Sequence, residues 1–155
     1  LASLNAFSGT DRRFQKKGEI GGVTIIDDYA HHPTEIKATL MAAKNYPHKN
    51  LWCVFQPHTY SRTLAHRTDF VRALAVADRI VLADIYAARE TDDGTISAAM
   101  LAERVAKTGK SARYVGDFEA IRKYLEEHCQ SGDLLLTVGA GDVFKIGEAF
   151  LKERP

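Results

Sequence analysis

The runs "VTII", "LWCVF", "RIVLA" and "LLLTV" are apolar from end to end or nearly so. A strand that alternates hydrophobic and polar residues can leave one face in water, whereas one apolar throughout must be covered on both faces. Each run is followed by a segment with helical spacing, which calls for a parallel sheet between two layers of helices. "EIGGVTIIDD" reads as the first strand. "PTEIKATLMAAKNY" follows as a helix with Pro33 in its first turn and Ile36, Leu40 and Ala43 on one face. "NLWCVFQ" is the second strand, and "SRTLAHRTDFVRALAVA" a helix with Leu64, Phe70, Val71 and Leu74 inward. "DRIVLADIY" is the third strand, and Ser97 caps the helix "AAMLAERVAKTG", which stops at Gly109. "ARYVG", the helix "DFEAIRKYLEEHC" with Asp117 as N-cap, "DLLLTVG" and "GDVFKIGEAFLKE" complete the alternation. The expected fold is α/β and doubly wound, Rossmann-like, with a mostly parallel sheet of about five or six strands and helices on both faces.

A chain of 155 residues suits one domain spanning 1–155. Its 21 basic and 20 acidic side chains leave a net charge of +1, which gives no electrostatic reason to expect nucleic acid or an anionic membrane as partner. No apolar stretch approaches the roughly 20 residues of a bilayer span, and no signal-peptide pattern is present, so the expected compartment is the cytoplasm. Cys53 lies in an apolar run and reads as a small core residue; two cysteines make no disulfide scaffold. The chain opens on Leu1 in a helix-like "LASLNAF", which suggests a piece of a longer polypeptide. The basic stretch Arg12, Arg13, Lys16, Lys17 reads, on its own, as solvated surface.

Ligands of open parallel sheets sit beyond the carboxyl ends of the strands, and this sequence loads those ends. The first strand ends in Asp27, Asp28, Tyr29, His31 and His32. The second ends in Gln56, His58, Thr59, Tyr60, Ser61 and Arg62. The third ends in Asp84 and Tyr86, with Arg89 and Glu90 slightly beyond, and the fifth in "VGAGD", Gly139 to Asp142. Taken singly, each has a plain structural explanation; their convergence on one sheet edge points to a site. "GAGD" lacks the third glycine of a dinucleotide fingerprint, and a tight strand-to-helix turn accounts for it. No metal site is expected, because adjacent histidines rarely point at one ion and no H-x-x-x-H or C-x-x-C spacing occurs. Ser61 lies outside any G-x-S-x-G elbow, so a serine triad is not expected either.

The segments "DDYAHHPTEI", "FQPHTYSRT", "DIYAARE" and "LLLTVGAGDV", with "FSGTDRRFQ" before them, resemble the C-terminal domain of the Mur ligases. The resemblance covers nearly the whole chain. It implies an ATP-dependent, ADP-forming amide ligase of peptidoglycan synthesis, in which an acyl phosphate made from ATP is attacked by an amino acid's amine. Tyr29 and His58 favour the branch that joins L-alanine to UDP-N-acetylmuramate; the alternatives are the branch that recycles murein tripeptide and a free-standing nucleotide-binding module. The resemblance also implies two further domains, a central ATPase and an N-terminal UDP-binding domain. No G-x-x-x-x-G-K-[ST] occurs in this sequence, so the β- and γ-phosphate cradle is expected in the central domain, as are most ligands of Mg2+. The chain alone is expected to be inactive.

By the same resemblance, Arg13 reaches the ATP phosphates, Asp28 hydrogen-bonds the ribose, and Gly141 belongs to the nucleotide side. Asp27 helps to orient the turn. Tyr29, His31, His58 and Arg62 surround the amino acid and the muramyl carboxylate, and His31, His58 and Arg62 are the expected catalytic groups. Physically, an arginine can grip a carboxylate through two parallel hydrogen bonds, and a histidine can accept a proton from an ammonium or steady an oxyanion. Which histidine is the base stays open at this point. Thr59 stands where some family members have arginine, and His32 is expected to be structural, packing under the Pro33 turn.

Overall fold

The computed structural model describes residues 12–153; the expected helix over "LASLNAF" and the start of "FSGTDRRFQ" lie outside them. Six strands form one sheet: β1 Gln15–Ile20, β2 Val23–Asp28, β3 Leu51–Phe55, β4 Arg79–Ala83, β5 Ser111–Gly116 and β6 Leu134–Val138. The helices are α1 Pro33–Lys44, α2 Tyr60–Ala65, α3 Arg67–Leu74, α4 Ala98–Ala106, α5 Phe118–His128 and α6 Phe144–Glu153. The order across the sheet is β1-β2-β6-β3-β4-β5, and only the β1–β2 pair is antiparallel. Among the described residues no helix is long and apolar enough to cross a membrane.

From β2 the chain steps outward through β3, β4 and β5, then returns to insert β6 between β2 and β3. Right-handed crossovers place helices of opposite stepping direction on opposite faces, and the core divides accordingly. One face packs Ile36, Leu40, Phe70, Leu74, Leu101 and Val105 from α1, α3 and α4 against Cys53, Phe55 and Leu136. The other packs Ile121, Leu125, Ile146 and Phe150 from α5 and α6 against Trp52, Val54 and Leu135. Neighbours along β3 thus serve opposite cores, as the period of two in a strand requires. Both cysteines are free and buried, and burial pushes the Cys53 thiol well above its ordinary range.

Two elements differ from the sequence expectation. "EIGGVTIIDD" is the end of one strand and all of the next, folded back at Gly21 and Gly22, whose φ values are 59° and 80°. Two positive φ angles in a two-residue loop make a hairpin turn that matches the strand twist. The single helix expected through "SRTLAHRTDFVRALAVA" is two, α2 and α3, broken at His66 (φ −112°, ψ 20°). Ser97 and Asp117 cap α4 and α5 as expected, through bonds to Met100 N and Ala120 N. The chain leaves β6 toward one face and leaves its neighbours β2 and β3 toward the other. The crevice of this sheet therefore opens above the carboxyl end of β6.

Candidate functional site

The residues above that crevice are held by an ion pair between half-buried Arg12 and buried Asp27. Arg12 grips Asp27 with two hydrogen bonds (Nε–Oδ2 2.6 Å, Nη2–Oδ1 3.2 Å). The same guanidinium donates to the carbonyls of Gly139 at 3.0 Å and Gly141 at 2.8 Å, and lies 4.7 Å from the Phe144 ring centre. Asp27 is 1% exposed and also accepts from Thr137 Oγ1 at 2.7 Å. One side chain therefore ties β2 to the loop between β6 and α6. The expectation that Arg12 belongs to a solvated basic surface is wrong; Arg13 and Lys16 are exposed, while Lys17 pairs with Glu148 at 3.4 Å. Asp27, expected to help orient the turn after β2, bonds to Arg12 and Thr137.

Asp28 faces the other way. Its carboxylate accepts from the backbone N–H of Phe14 at 2.9 Å and of Ala30 at 2.8 Å. Burial raises its pKa, against the pull of those bonds. Asp28, Arg13, Tyr29, Ala30, Glu35, Ala38 and Thr39 line an open cavity of about 230 Å³. The structure thus brings Arg13 and Asp28 together. Gly141 does not line that cavity. A Cβ there would lie 2.6 Å from Gln56 Oε1 and 3.2 Å from the Tyr86 ring, so packing accounts for this glycine.

On the far side of Tyr29 the rings continue as a row. Tyr29 is 47% exposed and meets His31 edge-on at 5.4 Å; His31 lies 6.2 Å from His58, and His58 stacks on Tyr86 at 5.2 Å. Arg62 Nη1 approaches His58 Nδ1 at 3.2 Å. Burial comes first in lowering the pKa of His58, followed by the nearby charges of Arg62 and His31. The four residues expected around the acceptor, Tyr29, His31, His58 and Arg62, therefore form one connected group, and Tyr29 belongs to both this group and the cavity.

The arrangement depends on local caps. His32 is the N-cap of α1: its Nδ1 accepts from Thr34 N at 3.3 Å, while Glu35 accepts from the backbone N–H of His31 and His32, each at 3.2 Å. Its role is structural, through a capping box. Thr59 caps α2 through Arg62 N and holds φ at 67°, where a β-branched residue is strained. Bonds from Thr59 N to Tyr86 O and from Thr63 Oγ1 to Thr59 O hold it there. Glu90 accepts from Tyr60 N at 2.6 Å, from Ser61 N at 3.0 Å and from the Ser61 hydroxyl. It anchors the helix that carries Arg62, and sequence reasoning gave it no role. Among the described residues no group of three or more His, Cys, Asp or Glu side chains is arranged to hold a metal ion.

Comparison with known proteins gives this geometry its context. Residues 12–141 match the family described as Mur ligase, glutamate ligase domain. A UDP-N-acetylmuramate–L-alanine ligase from Lachnoclostridium phytofermentans is 60% identical over 151 residues, covering 97% of this chain and 32% of that protein. The enzyme of the same name from Clostridium acetobutylicum is 58% identical over 153 residues, covering 99% and 33%. Among solved structures, the UDP-N-acetylmuramate-alanine ligase of Thermotoga maritima superposes with a TM-score of 0.73 at 29% identity, covering 98% of this chain and 32% of that one. A domain from Haemophilus ducreyi, 20% identical with a TM-score of 0.67, shares the fold over 90% of this chain and 98% of its own length. The chain spans about a third of the curated relatives it matches.

Proposed function

Because the chain belongs to the Mur ligase family, through its glutamate ligase domain, we propose that it is the C-terminal domain of an ATP-dependent ligase that joins L-alanine to UDP-N-acetylmuramate. It works with a central ATPase domain and an N-terminal UDP-binding domain of the same ligase, in the cytoplasm. What carries the reading is that Tyr29 stands between two sets of groups suited to different ligands. On one side, Arg13 and Asp28 share a cavity; on the other, Arg62 and His58 are in contact beside His31.

The nucleotide belongs on the first side. Arg13 brings a fixed cation to phosphate oxygens, and Asp28 presents a carboxylate already oriented by two backbone N–H groups to a ribose hydroxyl. The acceptor belongs on the second. Arg62 can hold a carboxylate through a charge-assisted pair, and the histidines manage the proton and charge changes of amide formation. Magnesium would lower the charge of the ATP phosphates; its ligands belong to the central domain. Closure of this domain completes both sides and keeps water from the acyl phosphate.

The reading is tested by grafting the chain in place of the matching third of the L. phytofermentans ligase. Arg62→Ala is expected to raise the KM for the acceptor substrates by about tenfold to a hundredfold, the range of a lost charge-assisted hydrogen bond, with little change for ATP. Asp28→Ala is expected to raise the KM for ATP instead. Equal effects of both variants on all three substrates would overturn the division of the site.

A further inference from the structure

We infer, on the basis of the ligase reading, that His31 and His58 hold opposite tautomers and opposite roles: His31 takes the proton of the attacking amine, and His58 donates a hydrogen bond to the oxygen that gains charge. The partners of the two Nδ1 atoms decide this. A backbone carbonyl only accepts, so a bond between His31 Nδ1 and Tyr29 O at 3.2 Å puts the proton on Nδ1 and leaves Nε2 with a bare lone pair. A guanidinium only donates, so Arg62 Nη1 at 3.2 Å requires a bare Nδ1 on His58 and puts its proton on Nε2. The same ring type, 6.2 Å apart, offers a base at one position and a donor at the other.

The surroundings agree. Glu35 Oε1 lies 3.7 Å from His31 Nδ1, where a carboxylate stabilises the imidazolium that forms when Nε2 is protonated. The only other ring groups facing His31 among the described contacts are Tyr29 and His58. His58 faces Arg62 and His31, which disfavour a second positive charge, the Tyr86 ring, and the more remote Glu90 carboxylate, which acts the other way. Protonation of His58 would also break its contact with Arg62.

An ammonium nucleophile sheds one proton to His31 Nε2, and its freed lone pair forms the C–N bond to the acyl-phosphate carbon. The carbonyl π pair moves onto oxygen, where the Nε2–H of His58 meets it. When that pair returns, the C–O bond breaks and its electrons leave with phosphate, which carries the second proton of the nitrogen. His31 afterwards returns its proton to solvent.

Two measurements test this. Long-range 1H–15N correlation spectra of the chain labelled in histidine, at a pH where both rings are neutral, are expected to show the Nδ1–H tautomer for His31 and the Nε2–H tautomer for His58. The reverse pattern at either ring overturns the inference whether or not the ligase reading holds. In the grafted ligase, His58→Gln keeps an N–H donor at the place of Nε2 and is expected to retain kcat within about tenfold, whereas His58→Ala loses a hundredfold or more, the range of a lost oxyanion donor. His31→Ala is expected to fall similarly but to recover with added imidazole, to which His58→Ala does not respond. Imidazole rescue of His58→Ala, or a His58→Gln variant as slow as His58→Ala, contradicts the assignment. A graft of the unaltered chain that makes no product counts against the ligase reading and leaves the tautomer result standing.

Discussion

Arg12 and Arg13 are neighbours of the same type with opposite fates. One is half-buried against Asp27 and three successive residues of the β6–α6 loop, the other exposed beside the Asp28 cavity. The two stand just before β1, where the chain bends through Arg13 and Phe14, so no strand period says which turns inward. A family resemblance picked out Arg13, and the pair of carboxylates ending β2 was the signal for Arg12 that the sequence reading passed over. At this scale the titrations also make a prediction. His58 binds its proton less readily in the folded chain than its ordinary pKa of 6.5, so its contribution to stability is full above that value. It is lost as pH falls through the lower folded pKa. Glu35 is held below its ordinary 4.5, burial being outweighed by the N–H groups of His31 and His32. Its contribution is likewise present above 4.5 and lost below. Urea unfolding from about pH 7.5 to about pH 4 should show stability falling in two stages, and His58→Gln should remove the first while keeping the second. An unchanged slope between pH 7 and 5.5 in that variant, roughly the histidine range, would show that His58 is not perturbed.

The elements were legible where hydrophobic period and caps spoke together. The buried face of α1 and the caps Ser97 and Asp117 could be read directly, because each rests on a local rule. The hairpin was readable too, since two adjacent glycines before an apolar run mark a two-residue turn; reading on through them merged β1 with β2. The break at His66 had no such mark. Neither glycine nor proline stands there, and the His66 ring at the break meets His32, which is distant in sequence, and Phe70. The same holds for Glu90, which reaches α2 from 30 residues away. Removing it exposes the dependence: Glu90→Ala should lower stability, as for a lost N-cap. In the grafted ligase it should also raise the KM for the acceptor by about tenfold or more, because displaced positioning groups are costly in rate. Glu90→Gln, which keeps an acceptor for Tyr60 N and Ser61 N, should restore most of it. A stability loss with no change in KM would limit Glu90 to the fold.

For the whole molecule, the fold class followed from apolar strands alternating with helices, and the site's general location from the sheet's carboxyl edge. The insertion of β6 between β2 and β3 did not, because strand order depends on the direction of each crossover rather than on any local pattern. That insertion matters most to function, for it brings Gly139 to Gly141 beside Arg12 and sets the β2 and β3 ends on either side of β6. The crowding of "DDYAHHP" then has a physical account. Asp27 ties β2 to Arg12 and β6, Asp28 and Tyr29 face a cavity, His31 faces the β3 end, and His32 starts the helix. The most direct test is ADP release from the ligase carrying this chain in place of its own C-terminal third. Release that requires both UDP-N-acetylmuramate and an amino acid, and is fastest with L-alanine, is the predicted result. A stably folded graft that releases no ADP, or releases it without regard to the amino acid, would contradict the account.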